Sequence, residues 1–150
     1  MALLYLLTDS LIAFKSALLT CLGIYCITFL KLVYKDARPF WLNDDIDSYN
    51  CAFDFAGPAQ SLFTIGFFWV YNVIMHCLKY AERKRTGLVI ALFSLIVVMG
   101  AWVIFAGLYS GTIYIYQNVV GLLYGLIYLV LCLNFDREIH KLCEKTGFIV

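Results

Sequence analysis

Four stretches of the chain, roughly 11–33, 61–78, 88–109 and 112–133, run for about 20 residues each with almost no charge. A helix needs about 20 apolar residues to cross a hydrocarbon layer about 30 Å thick. Backbone N–H and C=O groups in lipid must be satisfied internally, which leaves only helices and closed barrels. These runs are continuous rather than alternating ten-residue segments, and that selects helices. Composition agrees, since 63% hydrophobic against 14% charged residues is too apolar for a soluble domain to cover. The chain therefore reads as an all-α integral membrane protein with four transmembrane helices in one domain, 1–150, with an outer loop at 34–60 and an inner tail at 134–150.

The opening MALLYLLTDS has neither a basic leader region nor a small-residue cleavage site. It is expected to persist, with Thr8, Asp9 or Ser10 capping the first span and Met1 to Leu7 forming a short apolar arm. Four crossings put both termini on one side with the turn KYAERKRTG. That side carries Lys79, Arg83, Lys84, Arg85, Arg137, Lys141 and Lys145. The other carries Lys31, Lys35 and Arg38 together with Asp36, Asp44, Asp45, Asp47 and Asp54. The positive-inside bias then puts the termini in the cytoplasm or matrix and the acidic loop outside or in a lumen. The six cysteines form no CxxC pair, so no disulfide and no metal site is expected. A net charge of +1 offers no basic footprint, so nucleic acid is excluded as a partner.

The loop from Tyr34 to Gln60 is long for a bundle, where connections of about 2–8 residues are usual. It opens with KLVYKDARPFW, whose proline stops any helix and whose aromatics suit a membrane interface. Lys31 and Arg38 stand there as Lys, six residues, Arg-Pro. Further on come DFAGPAQS, with Pro58 just before the second span, and YSGTIYIYQNVVGLLYG, with Ser110, Gln117 and Gly121. In order and in placement on the spans, these three stretches resemble the signature of the type 2 phosphatidic acid phosphatase family. That signature is Lys-x6-Arg-Pro, then Pro-Ser-Gly-His, then Ser-Arg-x5-His-x3-Asp.

In that family the Lys, both Arg and the Ser and Gly donors hold the phosphate. The third-motif His attacks phosphorus, the Asp steadies it, and the second-motif His protonates the leaving alcohol. Here Lys31, Arg38 and Pro39 match the first motif in full. In the second, Pro58 matches, Ala59 stands for Ser and Gln60 falls where Gly-His is due. In the third, Ser110 matches, whereas Gly111, Gln117 and Gly121 replace Arg, His and Asp. The resemblance implies a remnant of the six-helix lipid phosphatase bundle, without two helices that normally precede this region. It also implies a remnant anion or lipid-headgroup site at Lys31, Arg38, Ser110 and Gln117. That site either still grips a phosphate or has its cations neutralised by Asp36, Asp44 or Asp54.

Gln117 can only donate or accept hydrogen bonds, and His76 and His140 are placed a bilayer away. The chain is accordingly expected to have no catalytic residue and to be no enzyme. The expected role is an accessory subunit of a larger membrane complex, such as a mitochondrial energy-converting complex, with other membrane subunits and phospholipids as partners and no cofactor. The mitochondrial inner membrane stands ahead of the ER as its location. The alternative is an active lipid or isoprenoid phosphate phosphatase. Gly107, Gly111, Gly121 and Gly125 stand at small-xxx-small spacing and are expected to let helices approach closely.

Overall fold

The computed structural model describes residues 10–43, 45–46, 53–79 and 86–145. The arm expected at 1–7, the caps Thr8 and Asp9, the basic turn with Arg83, Lys84 and Arg85, and Asp44, Asp47 and Cys51 lie outside them. Every regular element described is helical. Helix α1 is Ser10–Tyr34 and α2 is Pro39–Leu42. The second span joins α3 (Gln60–Thr64), one π segment (Ile65–Trp69) and α4 (Val70–Lys79). Helices α5 (Thr86–Tyr109), α6 (Ile115–Asn134) and α7 (Asp136–Lys145) follow. Four helices are long and apolar enough to cross a membrane, and the chain is an all-α integral membrane protein.

Two boundaries differ from the sequence reading. The fourth span starts at Ile115 rather than at Thr112. Gly111 takes a left-handed φ of +63°, which turns the chain between spans, and the Tyr114 N–H donates to Gln117 Oε1 (2.9 Å), closing the first turn of α6. In the tail expected at 134–150, the fourth span runs on to Asn134 and α7 occupies Asp136–Lys145.

The core sits where the second span crosses α6 and α1. The π segment adds a residue to its turn, and Ile65, Gly66, Phe67 and Phe68 are all buried there. Phe67 and Tyr71 are both 0% exposed and pack with Leu19, Phe68, Leu129 and Cys132. Tyr128 meets Phe67 edge to face at 4.7 Å between ring centroids and donates its hydroxyl to the Leu19 carbonyl at 2.8 Å. The second span and α6 touch backbone to backbone. A Cβ on Gly121 would lie 2.3 Å from the Ala59 oxygen, and one on Gly125 would lie 2.7 Å from the Phe63 oxygen. Gly107 has only ordinary contact, 3.8 Å to Ile113. Gly111 is a turn residue, so its expected place in a helix-packing seam is corrected: its positive φ takes it out of both helices.

Two ends of the bundle matter below. At the loop end, α2 follows α1, and residues 53–59 lead into the second span. At the tail end, Lys15 of α1 is 1% exposed and reaches Asp136 Oδ1 at 2.5 Å, and that oxygen also accepts from the Tyr71 hydroxyl at 3.2 Å. This pair fixes α1 to the corner where α6 gives way to α7.

Candidate anion site at the loop end

Lys31 sits in the last turn of α1, and the helix ends three residues on, at Tyr34. The Lys35 N–H still donates to the Lys31 carbonyl (3.0 Å), but Lys35 takes φ +51°, an unusual left-handed turn for a residue with a side chain. Residues 36–38 then have no regular structure. Arg38 has φ −79° and ψ 151°, as the residue before a proline must, and Pro39 opens α2 at a position where a missing N–H costs nothing. The reversal at Lys35 brings Lys31 and Arg38 back together, although six residues separate them.

Both cations close on Asp54. Lys31 Nζ donates to Oδ2 at 2.8 Å, and Arg38 Nη2 donates to Oδ1 at 2.5 Å. Arg38 Nε donates to the Asp54 backbone carbonyl at 2.8 Å and Nη1 to the Thr112 carbonyl at 3.2 Å, so three of its nitrogens are engaged. Lys31 and Arg38 are buried, at 9% and 7% exposed, whereas the Asp54 side chain is 59% exposed. Burial pushes the Asp54 carboxyl up. The hydrogen bonds and charges of Lys31 and Arg38 outweigh it and hold the group below its ordinary 3.8.

Beyond Asp54 the segment is hydrogen-bonded to its neighbours at two points. The Ala56 N–H donates to the Asp36 carbonyl (3.0 Å) and the Ala59 N–H to the Gln117 carbonyl (3.1 Å). The Asp36 carboxylate faces Gly57, where a Cβ would come within 2.5 Å of it. Of the local acids weighed from sequence, the structure sets Asp54 between the cations, and Asp44 lies outside the described residues.

Gln117 is 1% exposed and has a definite place. Its Oε1 accepts from the Tyr114 N–H, and its Nε2 donates to the Ala37 carbonyl at 3.3 Å and to the Tyr116 hydroxyl at 3.2 Å. It therefore ties the start of α6 to the residue before Arg38. Ser110 pairs with the Thr112 hydroxyl at 2.9 Å and donates to the Gly107 carbonyl at 3.2 Å. Its link to Arg38 runs through Thr112, whose carbonyl receives the guanidinium. All four predicted residues are thus joined at the loop end, two through Asp54 and two through backbone intermediates. His76 and His140 belong to α4 and α7. Among the described residues no three His, Cys, Asp or Glu converge as metal ligands.

Beside the cations is a cavity of about 200 Å³, lined by Thr28, Lys31, Leu32, Phe53, Asp54, Phe55 and Gln60. Of these, Thr28 and Leu32 on α1 and Phe53 on the loop are exposed, Leu32 at 57% and Phe53 at 94%.

No curated protein and no solved structure matches the chain. The family model of the PAP2 superfamily matches residues 12–141, which takes in the whole loop-end site and all four spans. That superfamily is one of phosphatases, and the match corrects the expectation that the chain is no enzyme: membership points toward an enzyme. A chain matched over that length belongs to the PAP2 superfamily.

Proposed function

We propose that this membrane protein acts on a phosphate ester carried by a membrane lipid, with Lys31 and Arg38 as the groups that hold the phosphate. The observation that carries the binding step is the convergence of two buried cations from separate elements on one anionic group at the loop end. A guanidinium fork and an ammonium point charge suit phosphate oxygens. The reaction class, hydrolysis of the ester, comes from the superfamily. Gln117 and Thr112 serve the site by position, one fixing the backbone before Arg38 and the other taking its spare N–H.

The test uses purified protein in mixed micelles with phosphatidic acid or an isoprenyl monophosphate. Binding and release of inorganic phosphate are compared with those of a Lys31→Met/Arg38→Leu variant. Both quantities are expected to fall at least about tenfold in the variant, each lost charge-assisted contact being worth about 1.5–3 kcal/mol. Wild type and variant behaving alike in both measurements would remove the reading.

A further inference from the structure

We propose that Asp54 is a built-in occupant of the phosphate seat, a carboxylate that a lipid phosphomonoester arriving sideways from the bilayer must displace. This rests on the phosphate-binding reading above and adds to it a competitor and a route.

Three observations carry it. First, the carboxylate uses both of its oxygens, one on each cation, which is how two oxygens of a phosphate would be held. Second, burial is uneven. Lys31 on its helix and Arg38 on the segment before α2 are buried, while the side chain of the acid is more than half exposed, so the acid is the partner that can swing away. Third, the space beside the acid is already open. The cavity at Lys31 and Asp54 is also lined by Thr28 and Leu32, exposed residues of the spanning helix α1, and by the exposed Phe53, a flank along which an amphiphile with its chains in the bilayer would come.

Charge favours the exchange. Two cations and one carboxylate leave the site at a formal +1, and a phosphomonoester carries about −1.5 to −2 at neutral pH with three acceptor oxygens, so it balances the pair more fully than Asp54 does. The seated carboxylate needs no translational ordering, however, and an apparent dissociation constant rises in inverse proportion to the fraction of vacant sites. The plug thus sets a threshold of phosphate-lipid density below which the seat stays closed. Movement of the segment has a reporter, since Phe55, next to Asp54, packs edge to face on Trp41 at 6.1 Å.

The experiment measures binding of phosphatidic acid in phosphatidylcholine nanodiscs to wild type, Asp54→Asn, Asp54→Ala and Lys31→Met, with the thermal melt of each confirming that it is folded. A Trp69→Phe/Trp102→Phe background isolates Trp41 fluorescence. Both Asp54 variants are expected to bind about tenfold more tightly than wild type, and phosphatidic acid, but not phosphatidylcholine alone, is expected to shift Trp41 emission in the Asp54 background. Equal affinities for wild type and the Asp54 variants, with binding lost in Lys31→Met, would overturn the plug and leave phosphate binding standing. No binding by any form would overturn both. Inorganic phosphate in solution is expected to bind far more weakly than the lipid, and equal binding would overturn the sideways lipid route.

Discussion

Replacing Gly121 by alanine tests the closest contact in the bundle. The added Cβ would lie 2.3 Å from the Ala59 oxygen and 3.0 Å from the Ala59 nitrogen and carbonyl carbon, all backbone atoms that cannot rotate away. Ordinary contact begins at 3.4 Å, so α6 and the start of the second span must part by about 1 Å, the difference between 3.4 and 2.3. That movement strains the Ala59 N–H to Gln117 carbonyl bond, at 3.1 Å in the native chain. Overpacking of this kind costs about 1–3 kcal/mol and a weakened buried hydrogen bond about 1 more. The better helix propensity of alanine returns up to about 1 kcal/mol. The net loss is about 1–3 kcal/mol, or roughly 2–12 °C of melting temperature for a chain of this size. Thermal unfolding in detergent, followed by helical circular dichroism, measures it. Gly87→Ala is the control, since nothing lies within 4 Å of its position, and its melt should stay level or rise. A Gly121→Ala protein that melts with or above the wild type would refute the backbone contact.

At the tail end, Lys15→Met should cost about 2–4 kcal/mol by leaving Asp136 without its cation, while the double change Lys15→Met/Asp136→Leu should recover most of it, as buried pairs commonly do when both charges go; equal melts for the single variant and wild type would refute this. Arg38→Lys should lower the melting temperature at neutral pH, because one ammonium cannot reach the Asp54 carbonyl, the Asp54 carboxylate and the Thr112 carbonyl together. An unchanged melt would show that the fork is dispensable. Because the folded Asp54 carboxyl lies below its ordinary 3.8, its contribution to stability is present above that pH and is lost as pH falls through the lower folded value. The stability gap between wild type and Asp54→Asn should be constant from pH 5 to 7 and close below about pH 4, and a gap that persists unchanged at pH 3 would contradict the ion pairing.

The four spans were legible because lipid imposes one requirement on every residue of a crossing segment, and a run of apolar side chains records it directly. The grouping of Lys31, Arg38, Ser110 and Gln117 at one end was legible only through the order of the three motifs. Lys31 and Arg38 meet on the Asp54 carboxylate and Ser110 on the Thr112 hydroxyl, and the other links are backbone carbonyls of Ala37, Asp54 and Thr112, which every residue type possesses and no sequence pattern marks. The turn at Lys35 was hidden for a related reason. A left-handed residue is usually announced by glycine or asparagine, and here a lysine takes it. The backbone approach at Gly121 and Gly125 lay behind an evident spacing, but the same spacing also marked Gly107 and Gly111, and only geometry separates the two pairs.

The least legible feature was the role of Lys15. A single lysine near the start of an apolar run reads as something the helix tolerates, yet it and Lys31 are the two buried cations of α1 among the described residues. They stand 16 residues apart, or about 24 Å at 1.5 Å per residue, close to the thickness of the hydrocarbon layer. Each meets an acid far along the chain, Lys15 at Asp136 and Lys31 at Asp54, so α1 is pinned near both membrane faces by pairs that no local pattern predicts. The two pins differ in one respect that bears on function. Asp136 carries a side chain 27% exposed and a second donor in Tyr71, whereas Asp54 is 59% exposed and held only through the two cations and the loop that bears it. Desolvation makes the tail-end pair costly to open, and solvent access makes the loop-end acid replaceable. A helix anchored firmly at one end and exchangeably at the other can admit an anion at Lys31 without losing its place in the bundle.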